Sequence, residues 1–199
     1  MRIVGILLAA GTGTRFGGGK LLAALRDARD DVAPGTPIGV AACRHLVAAL
    51  PETIAIVRPG DAALALALTA EGARVVECAR ADEGMGASLA CGVFAASEAD
   101  GWVVALADMP WIRTATIRSV VAALADGADI AAPLIGGRRG HPVAFSRTHR
   151  PALLALRGDE GARALIASHR DALRTVDVDD AAILRDVDTP ADLSAGEDR

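Results

Sequence analysis

A chain of 199 residues with 52% hydrophobic and 23% charged residues can bury a sizeable core, which argues against disorder and fits one domain. A net charge of −4 and a pI near 5.5 argue against a nucleic-acid groove, since only Arg138-Arg139 pairs two cations in sequence. Cys43, Cys78 and Cys91 lack CxxC spacing, and His45, His141, His149 and His169 are dispersed; neither set looks like a zinc site.

An odd cysteine count with no framework fits a reducing, cytoplasmic setting. The apolar start Met1–Ala9 is too short to span a membrane. A glycine-rich loop follows it where a secretory signal would have a cleavage site, so it reads as a buried strand. No membrane partner is expected.

Along the chain, short β-branched runs alternate with alanine-rich stretches, the pattern of βα units on a parallel sheet. Strands are expected at Ile3–Ala9, Thr53–Val57, Arg74–Glu77, Trp102–Leu106, Asp129–Ala132, Val143–Ser146 and Leu173–Val178. Helices are expected at Ile38–Leu50, Asp61–Glu71, Gly86–Ser97, Thr114–Ala125, Thr148–Leu156 and Gly161–Ser168. Continuous apolar strands imply that helices cover both sheet faces. The expected fold is therefore a three-layer α/β sandwich with a doubly wound, mostly parallel, Rossmann-like sheet. One domain is expected over residues 1–193, with 194–199 as a disordered tail.

One segment breaks this alternation. Between Ala10 and Pro37 the chain carries six glycines and the charged run Arg26–Asp31, a connection long enough to be functional. It sits at the carboxyl end of the first strand, where open α/β sheets bind ligands. Its first half reads Leu8-Ala9-Ala10-Gly11-Thr12-Gly13-Thr14-Arg15-Phe16-Gly17-Gly18-Gly19-Lys20. Glycines let backbone N–H groups turn toward phosphate oxygens, and Arg15 and Lys20 add positive charge to the same cradle. A Walker A loop fails, because Thr14 and Leu21 stand where glycine and Ser or Thr are required. A dinucleotide fingerprint fails at Phe16.

A second candidate follows the apolar run Trp102–Leu106. Asp108, two residues beyond that strand and two before Pro110, is placed to hold a hard cation at the sheet edge. Asp188, in Asp186-Val187-Asp188-Thr189-Pro190, is either a second metal ligand or a helix cap preceding Pro190. Gly86-Ala87-Ser88-Leu89-Ala90 misses the nucleophile-elbow pattern: it ends in Ala and no strand runs directly into it.

The loop Leu8-Ala9-Ala10-Gly11-x-Gly13-x-Arg15-Phe16-Gly17-Gly18-x-Lys20 resembles the signature of the nucleotidyltransferases that modify sugar phosphates and molybdenum cofactor. Within them, the chain is most similar to the molybdenum-cofactor cytidylyltransferases. Three further stretches carry that resemblance: Gly84–Leu89, Gly136–Val143 with its Gly-His-Pro, and Gly158-Asp159-Glu160-Gly161-Ala162-Arg163.

The resemblance implies that Ala9, Ala10, Gly11, Gly13, Arg15, Lys20 and Ser88 bind CTP. It implies Asp108, with Asp188, as ligands of Mg2+, and Arg15, Lys20 and Asp108 as the catalytic set. Gly140, His141, Pro142, Asp159 and Arg163 would meet molybdopterin, the molybdenum-cofactor substrate, and a molybdenum hydroxylase would receive the product. Two departures stand out: Cys78-Ala79-Arg80-Ala81 replaces the family's Asn-Pro-x-Trp, and Asp27–Pro34 is inserted after Lys20.

Alternatives within this reading are guanylyl transfer from GTP and a non-catalytic cofactor-delivery chaperone. The related guanylyltransferases carry Leu-Ala-Gly-Gly where this chain has Leu8-Ala9-Ala10-Gly11, and a methyl at Ala10 narrows the base pocket toward a pyrimidine.

Overall fold

Eight strands form one sheet: β1 (Ile3–Leu8), β2 (Thr53–Val57), β3 (Arg74–Glu77), β4 (Gly101–Leu106), β5 (Ile130–Ile135), β6 (Arg138–Arg139), β7 (Val143–Ser146) and β8 (Leu173–Asp177). Their order is β3-β2-β1-β4-β7-β5, with β6 and β8 both paired to β5. The structure is a computed structural model and describes residues 1–27, 32–159 and 161–193. Residues 28–31 of the charged run, Glu160 and the tail expected at 194–199 lie outside the described residues.

The helices are α1 (Ile38–Ala49), α2 (Ala62–Ala70), α3 (Met85–Ala95), α4 (Thr114–Ala125), α5 (Arg150–Leu154) and α6 (Arg163–Ser168). Strand alternation sorts the core into two halves. Val4 and Ile6 of β1, Ile54 and Ile56 of β2, and Trp102 and Val104 of β4 face α3, α5 and α6. Leu7, Ala55, Val57, Val103 and Ala105 face α1, α2 and α4. Each central strand is thus apolar on both sides, and the layered, mostly parallel fold stands as expected.

The sheet is nevertheless mixed. β1 pairs in parallel with β2 and β4, β2 with β3, and β5 with β8. β7 runs antiparallel between β4 and β5. The turn Gly136-Gly137 folds β5 back onto the two-residue strand β6, which the expected strands did not include. The helix expected over Thr148–Leu156 is shorter. A 3-10 turn covers Arg147–His149, and Pro151, which has no amide to donate, fits only the first turn of α5.

Two buried contacts fix elements that matter for the site. Asp180, 4% exposed, accepts from Thr116 Oγ1 at 2.6 Å, Arg113 N at 3.0 Å and Ala182 N at 3.2 Å. That carboxylate ties the segment after β8 to the start of α4. On the opposite face α3 lies very close to the sheet. A Cβ at Gly92 would stand 2.7 Å from Ile6 Cγ2.

Gly92→Val should therefore overpack the α3–sheet contact and cost about 1–3 kcal/mol. Phe94→Ser, at a position 72% exposed on the same helix, should stay within about 0.5 kcal/mol of wild type. Chemical denaturation of both variants checks the contrast, and equal midpoints would contradict this packing.

Candidate active site

Parallel pairing of β1 with β4 sets Leu8 opposite Leu106, so both chains leave the sheet at the same edge. The glycine-rich segment begins there, and Asp108 follows two residues beyond β4. Gly13, Gly17, Gly18 and Gly19 all adopt positive φ, and the chain makes short helical turns at Thr14–Phe16, which contains Arg15, and at Lys20–Leu22. Gly13 is the tightest of these positions. A Cβ there would lie 2.9 Å from Lys20 Cβ, so the loop folds back on itself and delivers Lys20 to the sheet edge.

A cleft of about 480 Å³ opens over this edge. Of the residues predicted from sequence, Ala10, Gly11, Gly13, Lys20, Ser88, Asp108 and Asp159 line it together. Asp159 comes from far along the chain, and the reason is a backbone bond: Gly86 N donates to Gly158 O at 2.7 Å. Ala9 lies beneath the cleft, buried, with its N–H donating to Ile56 O at 2.9 Å. Gly140, His141, Pro142 and Arg163 do not line the cleft.

The far wall contains two residues that the sequence reading did not select. Arg58, directly after β2, donates from Nη1 to Ala10 O at 3.2 Å and pairs with Asp82. Its signal was available, since it follows a buried apolar strand just as the Asp108 segment follows β4.

The carboxylates converge next to the loop. Lys20 Nζ donates to Asp108 Oδ2 at 2.9 Å and reaches Asp188 Oδ1 at 3.5 Å. A smaller hollow of about 250 Å³ between Gly13, Thr14, Lys20 and Asp188 adjoins the cleft. Asp186 joins the other two acids, with one oxygen from each of the three within 4.8 Å of the others. Val187 explains this placement. It is fully buried, its N–H donates to Asp108 O at 2.9 Å, and in an extended segment Asp186 and Asp188 then project from the same side.

Asp192, within the turn Pro190–Leu193, braces the segment that leads into it. Its carboxylate accepts from Thr189 N and Thr189 Oγ1, each at 2.7 Å, and from Asp188 N at 3.2 Å. Three hard oxygen donors with an ammonium standing among them form a set that fits a divalent cation such as magnesium.

The Gly-His-Pro stretch reaches this region because β7 runs antiparallel. Val143 pairs with Val104, so residues 140–142 sit beside the carboxyl end of β4. The backbone there is anchored by Gly140 N to Pro133 O and His141 N to Ile183 O, both at 3.0 Å. His141 Nδ1 is buried without a hydrogen-bond partner among the described residues. Burial first, and the charge of Arg139 second, push the His141 pKa down to about 4, against the opposing effects of Asp108 and the Val104 backbone. Desolvation and then the nearby charge of Arg163 lower Arg139 in turn, so Arg139 and Arg163 form a basic margin near His141. Burial raises the Cys43 thiol to about 12 and the Cys91 thiol to about 11, so neither is a ready nucleophile.

The low His141 value makes stability depend on pH. An unfolded histidine near 6.5 takes its proton before the folded one near 4, so the contribution is complete above about 6.5 and is lost as pH falls toward 4. His149, lowered by burial and by His169, acts with the same sign. His141→Gln should thus flatten part of the fall in the urea midpoint between pH 7 and pH 5. An unchanged slope would place His141 in a solvated site.

Comparison with known proteins fits this geometry. Residues 5–173 match the model of the MobA-like NTP transferase domain. The chain is 30% identical to purine catabolism protein PucB of Bacillus subtilis, over 94% of this chain and 92% of that protein. It is 29% identical to nicotine blue oxidoreductase of Paenarthrobacter nicotinovorans, with the same coverage. Rv0371c of Mycobacterium tuberculosis superposes with a TM-score of 0.80 at 30% identity, covering 96% of this chain and 95% of that one. A second structure of Rv0371c is a complex with manganese, with a TM-score of 0.74, 29% identity and 96% of each chain covered. With more than half its length matched by the family model, the chain belongs to the MobA-like NTP transferase family and is a nucleotidyltransferase.

Proposed function

We propose that the chain transfers CMP from CTP to the terminal phosphate of molybdopterin, releasing pyrophosphate. The observation that carries this reading is the single cleft in which the turn Ala10–Gly13, Lys20 and Asp108 meet at the adjoining ends of β1 and β4. In this reading the amides of Gly11 and Gly13 cradle the triphosphate, and Arg15 and Lys20 neutralise charge that builds on the departing pyrophosphate. Asp108, with Asp186 and Asp188, would hold magnesium, which when bound screens the phosphate oxygens.

The attacking group is a phosphate oxygen and already anionic, so no general base is required. It forms a bond to the α-phosphorus as the bond to the pyrophosphate oxygen breaks, and no proton moves. Catalysis is then positioning and charge stabilisation. In the same reading Ser88 and Ala10, which line the cleft, meet the nucleoside. Gly140, His141, Pro142, Asp159 and Arg163 would hold the acceptor, whose phosphate suits the basic margin of Arg139 and Arg163. Handover of the product to a molybdenum hydroxylase belongs to the same proposal.

Guanylyl transfer is the rival within this chemistry, and Ala10 is the residue that bears on it. Ala10 is 5% exposed, lines the cleft and has its carbonyl held by Arg58, which supports a restricted base pocket. CTP should bind more tightly than GTP in calorimetry with magnesium; a clear preference for GTP would overturn the cytidylyl assignment. A relative named as an oxidoreductase adds a control. Nicotinamide cofactor should not be consumed in the same mixtures.

Lys20→Ala should lower turnover by about two to three powers of ten, the range for removal of one transition-state donor. Asp108→Asn should abolish turnover at ordinary magnesium concentration, while Asp188→Asn should keep activity that recovers as magnesium rises. Pyrophosphate release across a magnesium titration checks all three variants. Rescue of Asp108→Asn but not of Asp188→Asn would reverse the roles of the two acids.

A further inference from the structure

Lys20 stands where the proposed function would put two different things. Its ammonium is 2.9 Å from Asp108 Oδ2 and 3.5 Å from Asp188 Oδ1, and its side chain is only 11% exposed. It also lines the cleft in which the triphosphate would lie. We infer that Lys20 is the resident counter-ion of the Asp108–Asp186–Asp188 carboxylates before nucleotide arrives, and that it makes nucleotide and divalent metal load cooperatively. This inference rests on the reading that the cleft takes a triphosphate and the acids take a metal.

The argument begins with charge. Three carboxylates with oxygens within 4.8 Å of one another repel, and a cation among them relieves that repulsion. An ammonium supplies one positive charge and a divalent metal supplies two. Both on Asp108 would repel, because magnesium binds oxygen at about 2.0–2.1 Å and would stand near the Lys20 ammonium with like charge. Metal entry therefore favours departure of Lys20.

A second anionic partner lies within the side chain's own reach. Lys20 starts from a backbone pinned against Gly13, in the wall shared by the cleft and the small hollow beside Asp188. A triphosphate cradled by Gly11 and Gly13 offers it several oxygens without any movement of the main chain. Lys20 can then exchange carboxylate for phosphate and vacate the acids. Nucleotide binding thereby raises metal affinity, and reciprocity requires metal to raise nucleotide affinity by the same factor. Without nucleotide the acids hold their own cation and resist stray metal.

The test is manganese binding by the full chain, followed by the electron paramagnetic resonance of free Mn2+. Titrations are run with and without the α,β-methylene analogue of CTP, with the GTP analogue in parallel and Mn2+ held by free nucleotide subtracted. Wild type should bind Mn2+ weakly alone and about tenfold more tightly with the analogue, within the usual span of coupling between sites. Lys20→Met should bind Mn2+ about tenfold more tightly than wild type without nucleotide, and the analogue should add little. Lys20→Arg should behave like wild type, and Lys20→Met combined with Asp108→Asn should lose the gain.

Equal Mn2+ affinity in wild type and Lys20→Met, at a site that Asp108→Asn removes, would overturn the counter-ion role while leaving the metal reading intact. Absence of any Asp108-dependent Mn2+ binding, even with analogue, would sink the metal reading and this inference with it. Should Lys20→Met fail to fold by circular dichroism, wild type alone decides: no mutual enhancement between Mn2+ and analogue overturns the proposal.

Discussion

Everything at the cleft depends on the pairing of β1 with β4. Six consecutive residue pairs, from Ile3 opposite Gly101 to Leu8 opposite Leu106, run in parallel and end together. A parallel pair releases both chains at one edge, and this edge is where the glycine-rich loop and the Asp108 segment begin. The pairing is secured from both faces, since alternate residues of the two strands enter separate halves of the core. Buried apolar side chains thus give a rigid base to a site whose own residues are polar and partly exposed.

Around that base the acids are collected by hydrogen bonds as well as by packing. Buried Asp180 fastens the segment after β8 to α4, and buried Val187 pins the next residues to the Asp108 carbonyl. Asp186 and Asp188 arrive beside Asp108 as a consequence. The Lys20 ammonium then compensates their charge, which links the state of the loop to the state of the carboxylates. One flexible cationic side chain thus stands between the acids and the cleft.

The antiparallel strand β7 supplies the other half of the geometry. Reversal of direction brings Gly140, His141 and Pro142 to the end of β4, beside Asp108, where a parallel β7 would have carried them to the far edge. His141 is held there neutral by burial and by Arg139, which with Arg163 forms a basic margin.

Much of this was legible in the residues alone. Strand and helix positions follow from local periodicity, which depends on neighbours two to four residues apart. Leu8–Lys20 stood out because glycine freedom and fixed cations are properties of the residues themselves, and Ala10, Gly11, Gly13 and Lys20 line the cleft. Asp108 was visible because a buried run ends just before it. Asp186, by contrast, carried no local signal; its position beside Asp108 depends on buried Val187 bonding to the distant Asp108 carbonyl. Arg58 became part of the cleft through its bond to Ala10, and Asp159 through the bond between Gly86 and Gly158. The direction of β7 and the pairing of Lys20 with the acids were also decided only in three dimensions. Sequence patterns report what a residue does to its own segment, whereas strand direction and charge clustering are settled by contacts between segments far apart in the chain.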